Sequence, residues 1–179
     1  VHGLPSDYAL REGDTVSIDC GVYYKGFHSD AAFTYPIGEV RPEIQQLLQV
    51  TREALYRGIE AIRPGSRTGD VGYAIQQHVQ RSGYSVIREL VGHGVGKKIH
   101  EAPAMPNYGH RGSGIKLKKG MVLAIEPMTS LGKRNIVQEK KGQIRTLDRQ
   151  PAAHFEHTVA VLEDKAEILT TYQYIEEAL

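Results

Sequence analysis

Asp14-Thr15-Val16-Ser17-Ile18-Asp19-Cys20-Gly21-Val22-Tyr23-Tyr24 is the stretch from which the fold can be read, because it alternates without a break. Val16, Ile18, Cys20 and Val22 point one way, and Ser17, Asp19, Gly21 and Tyr23 the other, which is the two-residue period of a strand. Lys25-Gly26 follows as a turn, and Phe27 to Tyr35 reads as a second strand, so the pair predicts a β-hairpin. Taken singly, Asp19 could be solvated and Asp30 a turn residue. In a hairpin they sit before and after the turn, on neighbouring strands with side chains on one face. Like charges side by side on a sheet are destabilising. A bound cation would remove that penalty.

Working outward, Arg41-Pro42-Glu43 opens a long helix with proline in its tolerated first turn. Ile44, Leu47, Leu48, Thr51, Leu55, Ile59 and Ile62 recur at helical spacing as one buried stripe, and Arg63-Pro64-Gly65 ends it. Thr68 is read as the N-cap of a second helix that carries Val71, Ile75 and Val79 inward and stops near Gly83. From Val91 to Gly114 the sequence is rich in Gly, His and Pro and reads as a long loop, a kind of segment that tends to be functional. Met121 to Glu126 is apolar on both faces and predicts a buried strand; Phe155 to Leu162 and Ala166 to Thr170 predict further strands. Lys133 to Gly142 is a charged loop or hairpin, and the tail is a short polar segment. Strands and helices interleave without a regular βαβ rhythm, which predicts an α+β fold on an antiparallel or mixed sheet.

Composition sets outer bounds. The 179 residues suit one domain, and 40% apolar with 24% charged residues is ordinary for a globular protein. Lys and Arg number 22 against 21 Asp and Glu, so charge gives no signal for nucleic acid or an anionic membrane. Cys20 is the only cysteine, which precludes an intrachain disulfide and points to a reducing compartment. No apolar run approaches the roughly 20 residues a membrane-spanning helix needs. Val1-His2-Gly3-Leu4-Pro5 lacks the basic and apolar regions of a signal peptide, so a cytoplasmic location is expected.

The chemistry is concentrated in a few positions. Glu126 ends the apolar run Val122-Leu123-Ala124-Ile125, where an ionised carboxylate costs several kcal/mol unless paired or metal-bound. A single buried Glu, protonated or paired with arginine, would be unremarkable. Glu156, between Phe155 and His157 at the head of another apolar strand, makes a second buried acid. His93 lies in Gly92-His93-Gly94-Val95-Gly96, where glycines let the backbone approach closely, although such a run could also be a surface loop. His100 follows seven residues on, one of eight histidines. Asp19, Asp30, Glu126 and Glu156 with His93 give four carboxylates and one imidazole. That set suits Mn, Fe, Co or Zn better than Ca or Mg. It is also more than one ion needs, whereas two ions about 3.5–4 Å apart would use it all.

Val1-His2-Gly3-Leu4-Pro5, Ile18-Asp19-Cys20-Gly21, Gly26-Phe27-His28-Ser29-Asp30, Gly92 to Gly96, His100-Glu101-Ala102-Pro103, Ala124-Ile125-Glu126-Pro127-Met128 and Phe155-Glu156-His157-Thr158 resemble, in order and spacing, the motifs of type I methionine aminopeptidases. The resemblance implies the pita-bread fold, a curved antiparallel sheet backed by helices with metals on its concave face. It implies Asp19, Asp30, His93, Glu126 and Glu156 as ligands of two divalent metal ions (Co, Mn, Fe or Zn), with Asp30 and Glu156 bridging. His2 and His100 match histidines of the substrate site, and His2, His100 and Glu126 match catalytic positions. The activity implied is removal of the initiator methionine from nascent proteins with a small second residue, by a hydroxide bridging the two metals. The implied partner is the N-terminal peptide of a nascent protein, near the ribosome, acted on by a monomer. Family members carry a further segment before the His2 motif, so residues 1–179 are expected to be a single metallopeptidase domain that is truncated at its N-terminus. A tryptophan frequent in the family before the last ligand is also absent, the stretch reading Gly142-Gln143-Ile144-Arg145-Thr146. The rival readings are a prolidase-like X-Pro peptidase and a non-catalytic pita-bread binding protein.

Overall fold

The computed structural model describes residues 1–140 and 142–178; Lys141, inside the charged stretch, and Leu179 lie outside the described residues. The alternating stretch forms β1 (Thr15–Tyr24), and β2 (Phe27–Pro36) returns beside it, with Asp19 opposite Ala32 and Gly21 opposite Asp30. Lys25 and Gly26 both have left-handed backbones, with φ 47° and 91°. That pair of angles makes the tight turn whose twist matches the flanking strands.

Two helices follow. α1 (Pro42–Glu60) buries Ile44, Leu47, Leu48, Thr51, Leu55 and Ile59, the stripe expected from the spacing, and Ile62 is buried just past its end. α2 (Thr68–Arg81) turns Val71, Ile75 and Val79 inward. Thr68 is the first helical residue and not the cap. Asp70 does the capping instead: its Oδ2 accepts the Arg67 N–H at 2.7 Å, while the Thr68 hydroxyl accepts the Ile115 N–H at 3.2 Å.

The principal sheet is antiparallel throughout and runs in the order β1-β2-β11-β6-β4-β5. Its remaining members are β4 (Gly92–Gly94), β5 (Glu101–Met105), β6 (Val122–Ile125) and β11 (Glu156–Val161), with β12 (Ala166–Ile168) also on β11. A small sheet joins β10 (Ala152–His154), β7 (Met128–Ser130) and β3 (Ser85–Val86). The charged stretch is a hairpin arm, β8 (Ile136–Gln138) on β9 (Ile144–Thr146). The polar tail holds one helical turn, α3 (Gln173–Glu176). Helices and sheet meet in one core around Phe33, Leu47, Leu55, Ile75, Leu123 and Phe155. This is the α+β arrangement the sequence predicts.

One further expectation needs correction. Val91–Gly114 is not all loop, because β4 and β5 lie within it and β4 is an interior strand. A Cβ on Gly92 would collide with the Ala124 carbonyl oxygen, and one on Gly94 with that of Ala102. Glycine is thus required there by close strand approach, the signal that made the segment look irregular. At the sheet's edge, β1 leaves Ile18 and Val22 about half exposed, at 53% and 49%.

Between β2 and β11 the backbone ladder is short, joining Glu156 to Ala32 and His157 to Ala31. On either side, hydroxyls replace it. The Thr158 hydroxyl donates to the Asp30 carbonyl at 2.7 Å and accepts the Asp30 N–H at 2.8 Å. The Thr34 hydroxyl lies 2.7 Å from the His154 carbonyl and accepts the His154 N–H at 2.9 Å. Tyr172 accepts the Glu156 N–H at 2.9 Å. These side chains fix the backbones that present Asp30, His154 and Glu156.

Candidate metal centre

Five neighbouring strands each bring one of the singled-out ligands to a common face. Asp19 comes from β1, Asp30 from β2, Glu156 from the head of β11, His93 from β4, and Glu126 from the residue after β6. His93 Nε2 stands 3.4 Å from Glu126 Oε1 and 3.8 Å from Asp30 Oδ2. Asp30, His93 and Glu156 each offer a donor atom within 4.8 Å of the others, and so do Asp19, His154 and Glu156. Glu156 belongs to both groups, so the cluster has two lobes with a shared carboxylate. Its edge strand leaves Asp19 exposed, while Asp30, Glu126 and Glu156 are buried.

Burial of so many acids has an electrostatic consequence. Desolvation, then the charges of Glu126, Asp30 and Asp19, push the Glu156 carboxyl up to about 10. Asp30 is also raised, by burial first and by Asp19 second, with His93 pulling the other way. Asp30 Oδ1, Glu156 Oε1 and His154 Nε2 are buried without a hydrogen-bond partner among the described residues. Such orphaned atoms are costly, and divalent cations in the two lobes would satisfy them. His93 is prepared for that role. Its Nδ1 lies 2.9 Å from the Gly94 carbonyl, which fixes the proton on Nδ1 and leaves the Nε2 lone pair facing the acids. Oxygen donors with one or two imidazoles fit a hard or borderline divalent ion.

The remaining singled-out residues lie at the margins. The His100 ring is 4.2 Å, centroid to centroid, from that of His93. His2 is exposed, with φ 58°, and lines a cleft of about 780 Å³ that also touches Asp19 and His154. Leu90, Met128 and Ile136 give that cleft an apolar wall. His157, by contrast, points away from the cluster's work: it stacks on Tyr172 at 4.0 Å, and its Nδ1 is 2.8 Å from the Thr170 hydroxyl. Burial holds it down at about 4, so it is a neutral structural imidazole. His154 was not singled out by the sequence. The available signal was its position two residues before Glu156, which in an extended chain places both side chains on one face.

The family model for metallopeptidase family M24 matches residues 1–163. The chain is 47% identical over 171 residues to the methionine aminopeptidase of Clostridium perfringens, covering 95% of this chain and 69% of that one. Among solved structures it is similar to the methionine aminopeptidase of Thermotoga maritima, with TM-score 0.93 and 49% identity, covering 95% of this chain and 69% of the other. The similarity to the prolidase of Pyrococcus furiosus is lower, with TM-score 0.77 and 29% identity, covering 95% of this chain and 45% of the prolidase.

Proposed function

The chain belongs to metallopeptidase family M24, and on that premise we propose that it hydrolyses the N-terminal methionine peptide bond of proteins whose second residue is small. The activity is that of a methionine aminopeptidase, in line with relatives of that name at 47% and 45% identity. The observation that carries it is the convergence of Asp19, Asp30, His93, Glu126 and Glu156 from successive strands on one largely buried cluster that includes buried metal-donor atoms without a hydrogen-bond partner among the described residues. These five side chains would hold two divalent ions of Mn, Fe, Co or Zn. Such ions supply Lewis acidity toward a peptide carbonyl and a water acidic enough to attack at neutral pH.

The chain's own groups complete the reaction. Glu126 faces the cluster with both carboxylate oxygens, 3.4 Å from His93 and from His154, and is placed to take the proton of the attacking water and hand it to the leaving amine. His100, beside His93, is placed to donate to the oxygen that gains charge at the scissile carbonyl. The apolar wall of Leu90, Met128 and Ile136 receives the methionine side chain, with His2 holding the peptide at the cleft. The substrate is a nascent chain met near the ribosome by a monomeric enzyme. The exposed, unpaired Cys20 accords with a cytoplasmic setting, and no helix among the described residues is long and apolar enough to cross a membrane.

The test is peptide hydrolysis with Mn, Fe, Co or Zn added in turn. Release of methionine from Met-Ala-Ser with no cleavage of Ala-Pro supports the reading. Cleavage of Ala-Pro alone would move the chain to the prolidase side of the family, and failure to bind any metal would favour a non-catalytic binding protein. His100→Ala is expected to lower turnover at least about tenfold while metal content stays unchanged; lost metal would mean that His100 is a ligand instead.

A further inference from the structure

We propose that His154 is a metal ligand, binding through Nε2 the ion on the Asp19 side of the centre, an inference that rests on the metallopeptidase reading above. The run from Ala152 to Val161 is nearly continuous strand, interrupted only at Phe155, which turns into the core. His154 and Glu156 therefore project together on the opposite face. His154 is 6% exposed, and its Nε2 is a buried nitrogen with no hydrogen-bond partner among the described residues. That atom belongs to one compact group with Asp19 and Glu156, all donors within 4.8 Å. It also stands 3.4 Å from Glu126 Oε2, near enough for attraction but without hydrogen-bond geometry. Its backbone is clamped at both N–H and C=O by the Thr34 hydroxyl, so the ring is held in place from behind.

A buried histidine that merely filled space would be expected to direct its nitrogens at partners. Here the bare nitrogen shares a compact group with Glu156, whose Oε1 also lacks a hydrogen-bond partner among the described residues, the arrangement a cation between them would satisfy. The consequence is a centre with an imidazole in each lobe, His93 on one side and His154 on the other. Nitrogen donors shift preference toward Mn, Fe, Co and Zn and away from Mg and Ca. Without His154, the Asp19 lobe would be held by oxygen alone.

Cobalt(II) titration of the full chain tests this. Hyperfine-shifted proton signals are recorded with ordinary and with ring-deuterated histidine, so that signals from bound imidazoles are identified. With two equivalents of cobalt, wild-type protein should show two imidazole sets. His154→Gln should show one, with the affinity for one equivalent reduced at least about tenfold and the other little changed. A wild-type protein showing a single imidazole set needs no variant to interpret and overturns the proposal. An unchanged count or unchanged affinities in His154→Gln overturn it as well. If a single set is accompanied by normal methionine release, only the His154 assignment fails; if no cobalt binds at all, the metallopeptidase reading fails with it.

Discussion

Glu156 shows how one side chain can serve function against stability. Its carboxyl is 1% exposed and pushed up to about 10 by burial and by neighbouring acids. Near neutral pH the metal-free protein therefore holds it protonated, and a cation must displace that proton to use it. Replacing it by its neutral isostere separates the two roles. Glu156→Gln is expected to reduce methionine release by more than about a hundredfold, yet to raise the stability of the chelator-treated protein at pH 8 by at least about 1 kcal/mol. Denaturant titration with an activity assay checks both, and a variant that is both active and no more stable would contradict the assignment. At this scale much was legible from the sequence. Asp19, Asp30, Glu126 and Glu156 stood out because acids in alternating or apolar strands need a reason. His154 did not, because it is one of eight histidines and its place two residues before Glu156 gains meaning only once Glu156 is taken as a ligand.

The elements position these side chains through unusual junctions. β4 reads as loop in the sequence because glycine is normally a breaker, yet it is an interior strand whose glycines admit the Ala124 and Ala102 carbonyls. The junction between β2 and β11 is equally hidden. Thr158 looks like one more β-branched residue in a strand, but its hydroxyl makes both hydrogen bonds to the Asp30 backbone. Thr158→Val keeps the shape and removes both bonds, leaving a buried N–H and C=O unpaired. The expected cost is about 2–4 kcal/mol of stability, with weaker metal binding because Asp30 is freed to shift. Calorimetric metal titration and chemical denaturation measure the two effects. Unchanged metal affinity would show that Asp30 is held by something else. The hairpin and both long helices were legible because each carries a clean period, and the strands at Val122 and Glu156 because each is a short, nearly continuous apolar run. The two-residue β3 and the three-residue β7 and β10 were not, since they are too short to show one.

For the whole molecule, the crowded acids make stability depend on pH in a direction opposite to that usual for salt-bridged carboxylates. Between 4.5, where the unfolded chain releases the Glu156 proton, and about 10, where the folded chain does, the folded state holds more protons. Stability must then fall as pH rises through that interval. His157, held at about 4 against its ordinary 6.5, acts in the opposite sense at lower pH, so the effect is clearest above 6.5. Chelator-treated protein is expected to lose up to about 1.4 kcal/mol per pH unit per proton between about pH 7 and pH 9. Divalent metal at about a hundred times its dissociation constant should add about 2.7 kcal/mol. A flat or rising profile in denaturant titrations would mean that Glu156 is already ionised. β1 lies at the sheet's edge, and its apolar residues Ile18 and Val22 stay about half exposed. The central claim, that divalent ions account for acids gathered from successive strands, is tested most directly by anomalous diffraction from crystals grown with cobalt. The account predicts two peaks about 3.5–4 Å apart, enclosed by Asp19, Asp30, His93, Glu126 and Glu156. Cobalt bound elsewhere, or an ordered cluster with no peak within it, would contradict the account.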